Sequence, residues 1–181
     1  MKYLILIHNK FEEIEGLAQV DIFARAKIPI DMYGIDDDVI VGRSGITVQT
    51  PFVFKKVGDI DVAGYDGLLI PGGPGIDTLM NNEEVINLIK AFQGSAKLIF
   101  AICAAPKLLD KAGILNGKRF TCFPGAVSEI KSGTHINERV VIDKNIITSQ
   151  SAGTAIEAAL KLVEIIVSKD VSLTIAKAIV F

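Results

Sequence analysis

Lys97-Leu98-Ile99-Phe100-Ala101-Ile102-Cys103-Ala104-Ala105-Pro106 drives an apolar segment straight into a cysteine and opens a helix behind it. Leu98 to Ile102 has no polar break, the pattern of a strand covered on both faces within a parallel sheet. Ala105-Pro106-Lys107-Leu108-Leu109 reads as a first helical turn, with proline where its missing N–H costs nothing. Cys103 is therefore expected at a strand-to-helix corner, a nucleophile elbow with sulfur in place of a serine oxygen. There the free amides and positive end of the helix favour the thiolate, which is the reactive form. The competing reading is a small buried hydrophobe, the usual fate of an unpaired cysteine.

Outward from this segment, strands and helices alternate along the chain. Strands are expected at Tyr3–His8, Pro29–Ile35, Asp66–Ile70, Phe120–Cys122, Val140–Ile142 and Asn145–Ser149. Helices are expected at Glu12–Ala26, Asn82–Gln93, behind Cys103 to about Lys111, at Thr154–Val167 and near Leu173–Val180. Val39–Val41 and Ile46–Val53, around Gly42 and Gly45, read as a hairpin or edge excursion. The alternation predicts an α/β sandwich with a mostly parallel sheet. Sites in such folds form beyond the carboxyl ends of the strands. Four features fall at those ends: the turn with Glu12 to Glu15, Gly72-Gly73, Cys103, and Ser149 to Gly153.

Composition narrows the function. With 181 residues, half of them hydrophobic, the chain is long enough for one core and is read as a single domain over 1–181. A net charge of −2 without a basic run disfavours nucleic acid as a partner. No apolar run approaches the roughly 20 residues that span a bilayer. The chain passes at once into a strand with no secretory signal pattern, which points to a cytoplasmic protein. Its two cysteines are then expected to stay reduced. Two cysteines and two histidines show no metal-ligand spacing, so no metal site is expected.

Each feature has a plain and a chemical reading. Glu12 and Glu13 complement the dipole of a first helical turn. Glu15 lies between Ile14 and Gly16-Leu17, an apolar setting that raises a carboxyl pKa and lets it hold a neighbouring thiol's proton. Pro71-Gly72-Gly73-Pro74-Gly75 is ordinary turn punctuation, or else a loop whose bare Gly72 and Gly73 amides face an oxyanion forming at Cys103. It lacks the Lys-Ser/Thr of a phosphate loop. His8, ending the first strand, reads as a structural histidine and His135 as a surface-loop residue, while Cys122 reads as buried.

Phe11-Glu12-Glu13-Ile14-Glu15, Ile70-Pro71-Gly72-Gly73, Ala101-Ile102-Cys103-Ala104-Ala105-Pro106 and Thr148-Ser149-Gln150-Ser151-Ala152-Gly153-Thr154, in this order, resemble the DJ-1/ThiJ/PfpI superfamily, closest to its DJ-1/YajL branch. The resemblance implies a flavodoxin-like three-layer sandwich and a homodimer. It implies that Cys103 is an oxidation-sensitive nucleophile, Glu15 its protonated carboxyl partner, and Gly73 with the Ala104 amide an oxyanion-binding pair. Arg25 and Arg43 match positions that lie near the dimer interface and the site in relatives, with Gly72 in support.

Departures are visible. Ser151-Ala152-Gly153-Thr154 replaces the branch's usual Gly-Pro-Gly-Thr, and Phe123 stands where some relatives carry a histidine. Ala104 stands where the protease-like branch has one, which disfavours peptidase chemistry; a glutamine amidotransferase would want a Cys-His-Glu set.

The leading expectation is cofactor-independent glyoxalase or deglycase chemistry on small reactive carbonyls such as methylglyoxal. The alternatives are a redox-sensing stress protein or chaperone using oxidation of the same cysteine, and a hydrolase or hydratase of another electrophile such as an isonitrile.

Overall fold

A computed structural model describes residues 1–181. The elements, in order, are β1 (Tyr3–Ile7), α1 (Glu13–Arg25), β2 (Ile30–Ile35), β3 (Val39–Val41), β4 (Thr47–Gln49), β5 (Phe52–Phe54), β6 (Gly67–Ile70), α2 (Ile76–Leu79), α3 (Glu83–Gly94), β7 (Leu98–Ile102), α4 (Pro106–Lys111), β8 (Arg119–Phe120), β9 (Thr134–His135), β10 (Val140–Asp143), β11 (Ile146–Ser149), α5 (Ala155–Ile166) and α6 (Lys169–Ala178). Seven strands form one sheet in the order β10-β11-β7-β6-β1-β2-β5, parallel throughout except for the β10–β11 pair.

Period-2 alternation divides the core between the two faces of this sheet. Leu4, Leu6, Leu68, Ile70, Ile99 and Ala101 pack with α3 and α4. Tyr3, Ile5, Ile7, Leu69, Phe100 and Ile102 pack with α1, α5 and α6. The result is three layers, helices over and under a sheet buried on both sides. The central strands are apolar along their whole length for that reason.

From β1 the chain builds outward through β2 to β5, then returns to the other side of β1 with β6 and builds through β7 to β11. The order reverses between β1 and β6, so the crevice beyond their carboxyl ends is the topological switch point. Gly72, Gly73 and the turn before α1 lie at that crevice, with Cys103 on the next strand out.

Three expectations change. Ile46–Val53 is not one strand. Thr50-Pro51 divides it, because proline has no N–H to give a ladder and Thr50 Oγ1 turns back to the Phe52 carbonyl, 3.0 Å away. The first part pairs with β3 in a hairpin and the second joins the main sheet beside β2. His135 lies not in a loop but in β9, its ring edge-on to Phe120 at 5.7 Å. The last helix begins earlier than its apolar pattern suggests, because Ser168 caps it by accepting from the Val171 N–H.

Candidate active site

Cys103 closes β7 with φ of +63°, the left-handed region that costs an ordinary residue roughly 1–2 kcal/mol. Neighbouring backbone holds it there. Its N–H donates to the Ser149 carbonyl of β11 (3.0 Å), and its carbonyl accepts from the Phe123 N–H (2.9 Å). The chain then turns directly into α4 with Pro106 in its first turn. This is the sharp strand-turn-helix corner expected from the sequence, and it leaves the thiol half-buried at the cleft floor.

Glu15 arrives from the first turn of α1 and is completely buried. Its Oε2 accepts from the Gly72 N–H at 2.9 Å, whereas Oε1 has no full hydrogen bond. The carboxyl and Cys103 meet beside Gly72. Gly72 makes the meeting possible. A side-chain carbon there would stand 2.6 Å from Cys103 Cβ and 2.8 Å from Glu15 Oε2.

Burial, first of all, pushes the Glu15 carboxyl up to about 7. Burial also pushes the Cys103 thiol up, to about 12, followed by the charge of the facing Glu15 carboxylate. Together these shifts describe a pair that holds one proton between them across the neutral range. The unpartnered Oε1 makes a buried carboxylate costly. Against this, the nearby backbone amides of Ala104 and Gly73 favour charge on the sulfur. Neither amide donates elsewhere in the backbone. The arrangement gives access to the thiolate beside a neutral carboxyl.

Gly73 can present its amide only because it is glycine. Its φ is +107°, and a side-chain carbon would lie 2.5 Å from the Lys10 carbonyl oxygen and 2.6 Å from the Glu12 nitrogen. The loop is stitched to the turn before α1 by the Glu12 N–H on the Gly72 carbonyl (3.0 Å).

Above the sulfur is a cleft of about 360 Å³ whose walls include Glu12, Arg43, Lys107, Phe123 and Ala152. Arg43 reaches it from the β3–β4 hairpin and pairs with Glu12 at 2.9 Å. Glu13 is buried and accepts from the Ser44 N–H at 2.7 Å. Glu12 and Glu13 thus fasten the hairpin to α1 rather than only complementing its dipole. Arg25 does not reach the cleft. It ends α1, exposed, and pairs with Asp21 one turn back.

His8 is fully buried beside Phe11, its ring nitrogens against the Asn9 and Pro71 carbonyls, and burial lowers its pKa. Cys122 is buried on the sheet face opposite Cys103, and burial pushes its thiol to about 11. Lys107 was not singled out by the sequence reading. Its amine bridges Asp77 (2.5 Å) and Glu129 (2.8 Å) in the cleft wall. The signal was its place four residues after Cys103, in the first turn of α4.

Residues 1–165 match the DJ-1/PfpI family. The chain belongs to that family. It is 34% identical over 183 residues to Drosophila melanogaster protein DJ-1alpha, covering 98% of this chain and 83% of that protein. It is 33% identical to Arabidopsis thaliana protein DJ-1 homolog B but spans only 40% of that protein's length. A Pyrococcus abyssi protein named as a deglycase is 28% identical over 155 residues, covering 84% of this chain and 92% of that protein. The crystal structure of Drosophila DJ-1beta superposes with a TM-score of 0.92 at 27% identity, over 99% of this chain and 98% of that one. No helix of this DJ-1/PfpI member is long and apolar enough to cross a membrane.

Proposed function

We propose that this DJ-1/PfpI protein is a cofactor-independent enzyme that turns small 2-oxoaldehydes such as methylglyoxal, or their amine and thiol adducts, into 2-hydroxy acids. The observation that carries this reading is the fully buried Glu15 carboxyl facing Cys103, two groups with one proton between them. The size of the cleft suits a small substrate, and a relative named as a deglycase agrees with the class.

The reaction needs only these groups. The Cys103 thiolate adds to the aldehyde carbon, and the new alkoxide takes the Glu15 proton, with the Gly73 and Ala104 amides as donors while its charge develops. Glu15, now a carboxylate, removes the hydrogen from that same carbon, electrons flow toward the neighbouring ketone to give an enediolate, and the first carbon's hydroxyl proton passes to the ketone oxygen. Returning the proton to the second carbon yields a thioester of lactate. Water then cleaves the thioester, releasing lactate and restoring the thiol. One carbon is oxidised and its neighbour reduced, so no external electron acceptor is required. With an amine or thiol adduct the released partner is the amine or thiol.

Lactate formation is expected to rise with pH as the pair loses the first of its two protons, near 7 for the Glu15 carboxyl. It should hold a plateau while one proton remains and fall only as that proton leaves in strongly alkaline solution. Below the rise there is neither thiolate nor base; beyond the plateau there is no acid. A steady-state pH profile checks this, and a flat profile across the neutral range would exclude the shared-proton mechanism.

The half-exposed Cys103 also favours a second reading, in which peroxide oxidises its sulfur and the neutral Glu15 carboxyl donates to the resulting sulfinate. The proposed partner is a second copy of the chain. Ile14 and Leu17 on α1 and Ile156 on α5 are exposed apolar residues on packed helices, and Arg25 lies beside Ile156.

A further inference from the structure

The cleft above Cys103 has one wall that the chemistry at the sulfur leaves unused. Lys107, in the first turn of α4, lines it with a side chain only 7% exposed. Two of its three N–H donors are taken, by Asp77 of α2 at 2.5 Å and by Glu129 at 2.8 Å. Glu129 ends the 3-10 turn Pro124–Glu129. The two carboxylates stay open to solvent, with 74% and 57% of their side chains exposed. The amine is thus engaged within the wall, while carboxylate oxygen remains accessible to a ligand.

The rest of the lining leans the same way. Its other charged side chains are Glu12 and Arg43, which offset each other at 2.9 Å. Asp77 and Glu129 outnumber Lys107, so the lining carries a net −1. The wall also includes an aromatic ring. Phe123 is half-exposed and lies against Gly125, where a side-chain carbon would meet Phe123 Cε1 at 2.7 Å. Its N–H donates to the Cys103 carbonyl at 2.9 Å, which ties this residue to the sulfur's own corner. The negative face of an aromatic ring attracts cations as carboxylates do.

We infer that Asp77, Glu129 and Phe123 are specificity-determining residues that make the cleft select electrophiles by charge. It takes those with an ammonium or guanidinium group near the reactive carbon and turns away those with a carboxylate or phosphate. Lys107 fixes the two carboxylates in the wall and does not itself receive an anion. A cleft of about 360 Å³ is no wider than about a Debye length, ~10 Å at 0.1 M salt, so the wall's charge acts on whatever approaches the sulfur. One unit of charge at that range alters the approach of a charged ligand roughly three- to thirtyfold. Neutral methylglyoxal is neither favoured nor opposed. In the reaction proposed above, on which this point alone rests, the preferred substrates are adducts whose amine or guanidine part keeps its positive charge.

Thiosulfonate reagents test the selectivity on the whole protein without turnover. Modification of Cys103 by 2-(trimethylammonium)ethyl and by 2-sulfonatoethyl methanethiosulfonate is followed by intact mass, and each rate is divided by that reagent's rate with 2-mercaptoethanol. Cys103→Ala corrects for reaction at Cys122. In the parent the cationic reagent should lead by about tenfold or more. Asp77→Asn combined with Glu129→Gln leaves Lys107 unopposed and should put the anionic reagent first. Phe123→Leu should lower the cation's lead roughly two- to fivefold, the worth of an exposed cation–π contact. Removing two acidic charges from α3 and α6 instead, by Glu83→Gln and Asp170→Asn, should leave the lead as it was.

Equal rates for the two reagents in the parent, or a cationic lead that survives in the folded double variant, would overturn the proposal. So would an equal fall in the α3 and α6 control, and an unchanged lead in Phe123→Leu would strike the ring from it. Should the double variant not fold, Asp77→Asn alone, at a mostly exposed position, must lower the lead about threefold or more; no change would overturn the proposal. If no adduct yields a 2-hydroxy acid, the enzymatic reading fails while the thiosulfonate rates still judge the wall.

Discussion

Glu15→Gln is expected to lower lactate formation from methylglyoxal roughly 10²–10⁴-fold, the usual worth of a placed general acid–base, while Cys103 stays at least as reactive toward iodoacetamide. The amide has nearly the same shape and can still accept from the Gly72 N–H, so the loop and the packing of α1 should persist. It cannot give a proton to the alkoxide or take one from carbon. Removing the carboxylate charge also removes one of the influences that raise the thiol's pKa, so alkylation at neutral pH should hold or quicken. Turnover lost with thiol reactivity kept is the signature of a proton carrier. Loss of both together would mean that Glu15 only supports the fold around Cys103.

Gly73→Ala should cost about 10²–10³-fold in turnover, the range for losing one donor to a developing oxyanion. The residue's φ of +107° is outside what alanine adopts readily, and the added carbon would meet backbone atoms of Lys10 and Glu12 at 2.5–2.6 Å. Backbone cannot swing aside as a side-chain tip can, so the loop must shift and carry its amide off the sulfur. The same shift strains the Glu12–Gly72 hydrogen bond, and a lower melting temperature should accompany the loss. Activity measured well below that temperature separates the two effects. Unchanged turnover in the folded variant would remove Gly73 from the oxyanion pair.

Both predictions rest on residues that the sequence made readable, for different reasons. The Leu98–Ile102 run and Pro106 confine Cys103 to a corner through local rules alone, and the +63° φ there follows from that corner. Glu15 stood out because a carboxyl in an apolar stretch must be buried or repaid, and it is fully buried. Other features depend on contacts between segments far apart in the chain. The grip of Glu13 on Ser44 joins residues 31 apart, and the sheet order places Gly72 against Cys103 by tertiary pairing that no local pattern encodes. Pro51 marks the break between β4 and β5, but Ile46, Val48 and Phe52 alternate straight across it.

The most direct test follows the carbon atoms. Incubating labelled methylglyoxal with the protein and with Cys103→Ala, and observing the products by NMR, should show lactate accumulating with the parent chain alone and without added cofactor. Equal lactate from both proteins, or none from the parent, would contradict the proposal that Cys103 and Glu15 carry out this reaction.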